Sequence, residues 1–375
     1  MTHTTGFVWH ERFMWHDLGR YAGLMPAGFP VQPGMPFENW EAKRRLKNLL
    51  DASDFTRRLV PIEPRPASDE ELRRVHSAAY LQRLAAQNEQ DSGIAGLDAP
   101  FTRGSFEIAR LAAGGCLAAV DAIMRARIDN AYALVRPIGH HAEPDEGKGF
   151  CLLCNPALAA AHALAVHELS RVALVDFDVH HGNGAQKAFW RDARVLTISL
   201  HQERWFPPDS GDRQERGEGE GFGTNLNIPL PAGSGWGAYQ AAFQRVVLPA
   251  LQRFRPQFLI VPCGFDAGAQ DPLGRMILHS GAFRTMVQWL LEAAQLYAHG
   301  RVLLTQEGGY NEWSVPFMGL AVIEALRGEP SGVTDPLGEI FASMHGHDLL
   351  AHQHAAVEAA AALVADVPDH SRAPA

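Results

Sequence analysis

Four cysteines in 375 residues are too few for a disulfide scaffold. Cys116, Cys151, Cys154 and Cys263 all sit in apolar stretches, which predicts reduced thiols and a cytosolic setting. Basic residues are also short: 33 Lys and Arg stand against 42 Asp and Glu, a formal charge of −9 at pH 7. Binding nucleic acid without regard to sequence needs a basic face, so nucleic acid is not an expected partner. The first twenty residues have no long apolar run. His3, Glu11, Arg12, His16 and Asp17 interrupt them, which predicts neither a signal-peptide core nor a membrane span, and hence a cytoplasmic location. There is no internal repeat and no break in composition. The expectation is one domain over residues 1–375, with an N-terminal strand and a long rim or interface loop in 1–39 and a helix and frayed tail in 349–375.

What is present reads as alternation. A Gly/Pro-rich loop runs from Gly19 to Pro36, and Trp15, Tyr21, Phe29 and Phe37 predict that it packs at a site rim or a subunit contact. Ser68-Asp-Glu-Glu71 is a capping box, so residues 69–88 read as helix with a break near Ser77. Residues 104–127 form a long Ala-rich helix. Strands follow at 131–136, 171–177, 194–200, 257–262 and 301–306, separated by helices. One of these starts at Asn155-Pro156 with Asn155 as cap, and another spans 236–254. This predicts an α/β fold: an open, mostly parallel sheet with helices on both faces.

Ligands in such sheets bind beyond the carboxyl ends of the strands. The strand at 171–177 runs into Asp176, Asp178, His180 and His181, and then the turn Gly182-Asn183-Gly184. Residues i, i+2 and i+4 of an extended chain share a face. Two carboxylates and an imidazole closing an apolar strand call for a cation. The other strand ends carry His140-His141, His201, Asp266 and Glu307-Gly-Gly-Tyr310.

Gly139-His-His-Ala142, Asp176-Phe-Asp-Val-His-His-Gly-Asn-Gly184, Gly264-Phe-Asp266 and Glu307-Gly-Gly-Tyr310 together resemble the zinc-dependent histone deacetylase superfamily. The likeness is greatest to its class II branch and to bacterial histone-deacetylase-like amidohydrolases. The resemblance implies the arginase–deacetylase fold, one catalytic Zn²⁺ on Asp178, His180 and Asp266, and a structural K⁺ at Asp176, Ser199 and Leu200 with the backbone of Asp178 and His180. His141, paired with Asn183, is implied as general base and then acid. His140, paired with Asp176, acts through charge and orientation, and Tyr310 donates to the oxyanion. Phe150 and Phe206 are the implied tunnel walls and Asp98 a rim residue that holds substrate backbone. Gly149, Leu273 and Gly308 are also implied in substrate binding. The implied reaction is hydrolysis of an acetyl- or short-acyl-lysine amide, by a homo-oligomer (dimer or tetramer). Leu273 stands where polyamine-selective relatives carry Glu, which sets acetylpolyamine deacetylation second. A two-metal ureohydrolase of the same fold and a silent acyl-lysine binding module are further alternatives.

Some features fall outside that pattern. Cys151-X-X-Cys154 reads as two buried thiols ahead of a redox pair, and His345, His347, His352 and His354 read as a solvated helix end.

Overall fold

The computed structural model describes residues 2–22, 24–26, 28 and 30–371. Eight strands form its central sheet: β1 (Thr5–Val8), β2 (Val60–Ile62), β3 (Asn130–Ala133), β4 (Val172–Asp176), β5 (Val195–Gln202), β6 (Asn225–Leu230), β7 (Phe258–Cys263) and β8 (Val302–Gln306). Their order across the sheet is β6-β5-β4-β7-β8-β3-β1-β2. Every neighbouring pair is parallel. Register aligns the strand ends: Asp176 lies beside Ser199, and Cys263 beside Gln306. All the polar strand ends therefore emerge on one edge, as the alternation predicts.

The strands are apolar on both faces because helices cover both. Ala173 and Val175 of β4 join a core with Leu46 of α1 (Glu41–Ala52), Phe283 and Met286 of α4 (Ser280–Tyr297), and Val322 of α5 (Val315–Arg327). Val172 and Leu174 face the other way, onto Ile108 and Val120 of α2 (Ser105–Met124) and Ala157 and Ala160 of α3 (Asn155–Val166). The capping box is formed at Ser68 and Glu71, and the break near Ser77 is real, with Ser77 capping Ala78–Asn88.

Several expectations need correction. Asn155 is not a cap: it lies inside α3 and its side-chain amide donates to the Pro137 carbonyl at 3.1 Å. The helix over 236–254 contains a π-helical turn at Phe243–Val247. Strand β6 has no counterpart in the sequence reading, because Asn225, Asn227 and Pro229 break an apolar strand signal. It lies at the sheet edge, where proline is tolerated. A hairpin of Ser92–Ile94 and Pro100–Thr102 was likewise hidden in a loop. The tail does not fray up to Ser371: His370 N–H donates to the Arg253 carbonyl at 2.7 Å, and Arg255 donates to that of Ser371 at 2.7 Å. Flanking the Gly19–Pro36 loop, Trp15 and Phe37 are exposed on the single chain and do not pack into its own core. The Tyr21 side chain and Phe29 lie outside the described residues.

The N-terminal segment is fastened to the end of β3 by buried charge. Arg136 forks onto Glu38 (2.8 Å from Nε and from Nη2), Lys43 of α1 reaches the same carboxylate at 3.3 Å, and Arg136 also donates to the His16 carbonyl. Glu38, Arg136 and Lys43 are each only 1% exposed. Burial alone would raise the Glu38 pKa, but Arg136 and Lys43 overcome it and hold it at about 2. Removing one partner strands the remaining charges, so Glu38→Gln is expected to cost about 3–5 kcal/mol at pH 7. A depressed carboxyl pKa contributes stability that is present above the unfolded value of 4.5 and lost as pH falls toward 2. Urea unfolding of both proteins should therefore show a smaller difference at pH 3 than at pH 7.

Candidate active site

Strand β4 ends at Asp176, and the chain beyond it turns so that Asp178 and His180 meet Asp266 from the loop after β7. His180 Nδ1 lies 3.0 Å from Asp178 Oδ1 and 3.0 Å from Asp266 Oδ2. These three side chains each offer one ligand atom, all within 4.8 Å of one another, and all are buried. Backbone donors aim the carboxylates. Gly308 N–H donates to Asp178 Oδ2 at 2.8 Å, and Val179 N–H to Asp266 Oδ1 at 2.9 Å. Burial and the Asp178 charge push Asp266 up to about 6. Burial would lower the His180 pKa, but Asp266 and Asp178 raise it to about 10. Two buried carboxylates on one imidazole make a donor set of two oxygens and a nitrogen, which fits a borderline divalent cation with positions left open. Asp176 is not part of it: its Oδ2 lies 2.9 Å from His140 Nδ1.

A second His pair flanks this trio. His141 Nδ1 is 2.7 Å from Asn183 Oδ1. The Asn183 amide cannot be reversed, because its Nδ2 already donates to the His141 carbonyl (3.1 Å) and to Glu143 Oε1 (2.9 Å). His141 therefore carries its proton on Nδ1 and leaves Nε2 as an acceptor. Burial and the neighbouring His140 and His180 rings hold its pKa well below the ordinary value. Burial opposes the charge on His140 too, but Asp178 and Asp176 raise it to about 10. Glu307 carries the loop beneath both rings: its Oε2 accepts from Gly139 N–H (2.7 Å) and His140 N–H (3.0 Å).

A cavity of about 230 Å³ leads to these groups, lined by Leu24, Asp98, His141, Gly149, Phe150, His180, Trp205, Phe206, Leu273 and Tyr310. Phe206 stands edge-on to His141, with ring centroids 4.9 Å apart, and Phe150 stands edge-on to Tyr310 at 6.0 Å. Gly149, at φ +48°, is where the wall is thinnest: a Cβ there would overlap His141 and lie 2.7 Å from Phe206. Asp98 is fixed by the same turn, its carbonyl accepting from Phe150 N–H at 2.8 Å, and burial raises its pKa.

The structure thus brings together Asp178, His180 and Asp266, the two His pairs with their partners, and the cavity residues Phe150, Phe206, Asp98, Leu273, Gly149 and Tyr310. Gly308 does not line the cavity and packs behind the carboxylates. Ser199 Oγ accepts from Gly182 N–H at 3.3 Å, one strand over from Asp176. Glu143, the wall residue Trp205 and Leu24 were missed. For Glu143 the one signal was its place directly after His-His-Ala, since the Pro-Asp-Glu-Gly-Lys that follows it reads as an ordinary surface turn. Leu24, from the Gly19–Pro36 loop, lines the cavity. Cys151 and Cys154 are free and buried, with burial raising both thiol pKa values, so neither is poised to ionise. His347 is half-buried and bridges Trp236 N–H and the Phe341 carbonyl, unlike its exposed neighbours His345, His352 and His354.

Asp121, His162 and His167 form a second cluster whose ligand atoms lie within 4.8 Å. Arg74 donates to His162 Nδ1 at 2.9 Å, so the His162 proton sits on Nε2 and points at Asp121 Oδ1, 2.9 Å away. His167 Nε2 meets the same oxygen at 2.8 Å. The nitrogen lone pair a metal would need is occupied, and the cluster is a hydrogen-bonded clasp between α2 and the end of α3.

Comparison with known proteins agrees with this geometry. The histone deacetylase domain matches residues 36–326. The chain is 51% identical over 340 residues to a histone deacetylase-like amidohydrolase of Pseudomonas aeruginosa, covering 90% of each protein. It is 33% identical over 335 residues to a probable deacetylase of Archaeoglobus fulgidus, covering 88% of this chain and 89% of that one. Among solved structures, the HD domain of HDA15 superposes with a TM-score of 0.80 at 33% identity, covering 98% of both chains. The parallel sheet with its edge of His, Asp and Tyr, and relatives of the deacetylase and amidohydrolase type over nearly its whole length, place this chain in the histone deacetylase family.

Proposed function

We propose that the protein is a zinc-dependent amidohydrolase that removes an acetyl or short acyl group from a lysine side chain or a similar neutral-tailed amine. The observation that carries this reading is convergence: His180 of the ligand trio, His141 and Tyr310 all line a single cavity with two aromatic walls. Asp178, His180 and Asp266 would hold the cation, which when bound supplies Lewis acidity for the amide carbonyl and for water. The chain's own groups do the rest. Phe150 and Phe206 flank an extended aliphatic stem and exclude water from it. His141 takes the proton of the attacking water at Nε2 and passes it to the departing amine. The Asn183 amide, held by Glu143, keeps the imidazole in that tautomer. His140 and Asp176 hold a proton between them and set the local charge. The Tyr310 hydroxyl donates to the oxygen on which negative charge develops, and burial keeps it protonated by raising its pKa well above 10.

Leu273 in the wall favours a neutral chain over the distal ammonium of an acetylpolyamine, because no carboxylate stands at that position. Asp176, Ser199 and Leu200 would hold K⁺ with the backbone of Asp178 and His180, a reading supported by the pairing of Asp176 with Ser199. Exposed Trp15, Val31 and Met35 support self-association, as a dimer or tetramer. No described helix is long and apolar enough to cross a membrane, in keeping with a cytoplasmic location.

Tyr310→Phe and His141→Ala should each lower kcat on an acetyl-lysine peptide by about 10²–10³-fold or more while zinc content stays at the wild-type level. Wild-type turnover in either variant contradicts the mechanism. Gly308 tests the ligand set from behind. A Cβ there would overlap Asp266 Oδ2 and lie 2.7 Å from Asp178 Oδ2. Gly308→Ala should therefore weaken zinc binding by about 10–100-fold, measured by competition with a chromophoric chelator, with the circular dichroism spectrum unchanged.

A further inference from the structure

Asp271 is a buried carboxylate that the chemistry above does not use. It lies in the loop between the ligand Asp266 and the wall residue Leu273 and is 8% exposed. Among the described residues it has no ion pair. Its acceptors are spent on backbone instead: Oδ2 on Tyr310 N–H at 2.8 Å, and Oδ1 on Leu273 N–H at 2.8 Å and Gly274 N–H at 3.3 Å. Burying an unpaired carboxylate is costly, and three hydrogen bonds to backbone amides are what hold it there. Burial and the Asp266 charge push its pKa up to about 7, against the pull of those amides.

The place of this carboxylate is specific. The turn Glu307-Gly-Gly-Tyr310 is tied down residue by residue: Glu307 by Gly139 and His140, Gly308 N–H by Asp178, and the Gly308 carbonyl by Phe265 N–H at 2.9 Å. Gly309, at φ +118°, lets the chain reverse next to Phe265. Tyr310 then leaves the turn, and its own amide is held by Asp271. Asn311, the next residue, ties to that loop through an exposed bond from its side chain to the Gln270 carbonyl at 3.0 Å, while its Oδ1 accepts from Trp313 and Ser314 N–H. One side chain thus grips the backbone of the hydroxyl-bearing residue with one oxygen and the backbone of the wall residue with the other.

We infer that Asp271 is a positioning residue that fixes the Tyr310 hydroxyl relative to the ligand trio and locks the Leu273 wall to it. The inference rests on the role proposed for Tyr310. If Asp271 acts through Tyr310, its effect on turnover exists only while the Tyr310 hydroxyl does. A side chain that merely supported the fold would impose its loss in any background.

The test is a double-mutant cycle on an acetyl-lysine peptide, with zinc content and melting temperature recorded for each protein. Asp271→Asn should lower kcat by about 10–100-fold with zinc retained, as expected when a reacting group is displaced by a fraction of an ångström to an ångström. In the Tyr310→Phe background the same substitution should lower kcat by no more than about 3-fold, since groups acting as a unit are not additive. A loss from Asp271→Asn that recurs in full beside Tyr310→Phe overturns the inference, as does an Asp271→Asn enzyme with wild-type kcat. Wild-type activity in Tyr310→Phe alone would instead defeat the role given to Tyr310, so the two failures are distinct. If Asp271→Asn does not fold, Asp271→Glu serves in the same cycle: it keeps the charge but moves the carboxylate by one methylene, and the same outcomes decide.

Discussion

Two carboxylates, Asp178 and Asp266, point at one imbedded imbalance of charge: both are fully buried, and both reach the same nitrogen of His180 at 3.0 Å. Desolvating a carboxylate costs several kcal/mol even in a relaxed protein, and a second one beside it compounds the cost. The surrounding fold is arranged to meet that cost. Backbone amides of Val179, His180 and Gly308 all donate to these oxygens, which fixes where β4, the loop after β7 and the turn after β8 can lie. The amides are neutral, and without a metal the balancing charge must come from a proton on His180, whose pKa the two carboxylates raise. Under the proposed function a bound zinc would complete the balance and also serve the reaction.

From that centre the constraints pass outward in layers. Gly308 must be glycine because the carboxylates occupy the space of its Cβ, and Gly149 because His141 and Phe206 do. Glu307 supports the His pair from below, Asn183 and Glu143 orient His141 from the side, and Asp271 clamps the turn that presents Tyr310. Each of these is a buried polar group whose hydrogen bonds are fully committed, so each has one orientation available. Such a network specifies geometry more sharply than apolar packing could.

Much of this was legible in the sequence, and the reasons are local. Strands β4, β7 and β8 open on apolar runs, Val172–Val175, Phe258–Val261 and Val302–Leu304, and lead into charged or glycine-rich turns, so both their position and the side of the sheet bearing the site follow from pattern. Asp178, His180, Asp266, His141 and Tyr310 lie at those ends, in motifs whose spacing is their signature. Less visible were features whose meaning depends on distant partners. β6 mixes Asn and Pro into a strand at the sheet edge. Glu143 and Asp271 look like ordinary loop acids until their partners, Asn183 and Tyr310, are brought within 3 Å from 40 and 39 residues away. Asn155 looked like a helix cap because local propensity favours it there, but a carbonyl from another loop claimed its side chain. Trp15 and Phe37 are packing residues by type, and the single chain leaves them exposed.

The central claim is that a single zinc ion balances the buried carboxylates and is required for amide hydrolysis. Metal analysis of the purified chain, joined to turnover of an acetyl-lysine peptide before chelation, after it, and after adding back one equivalent of zinc, tests it most directly. The expected result is one zinc per chain, activity lost on chelation and restored by that one equivalent. Two manganese ions per chain, or full turnover by the metal-free protein, would contradict it.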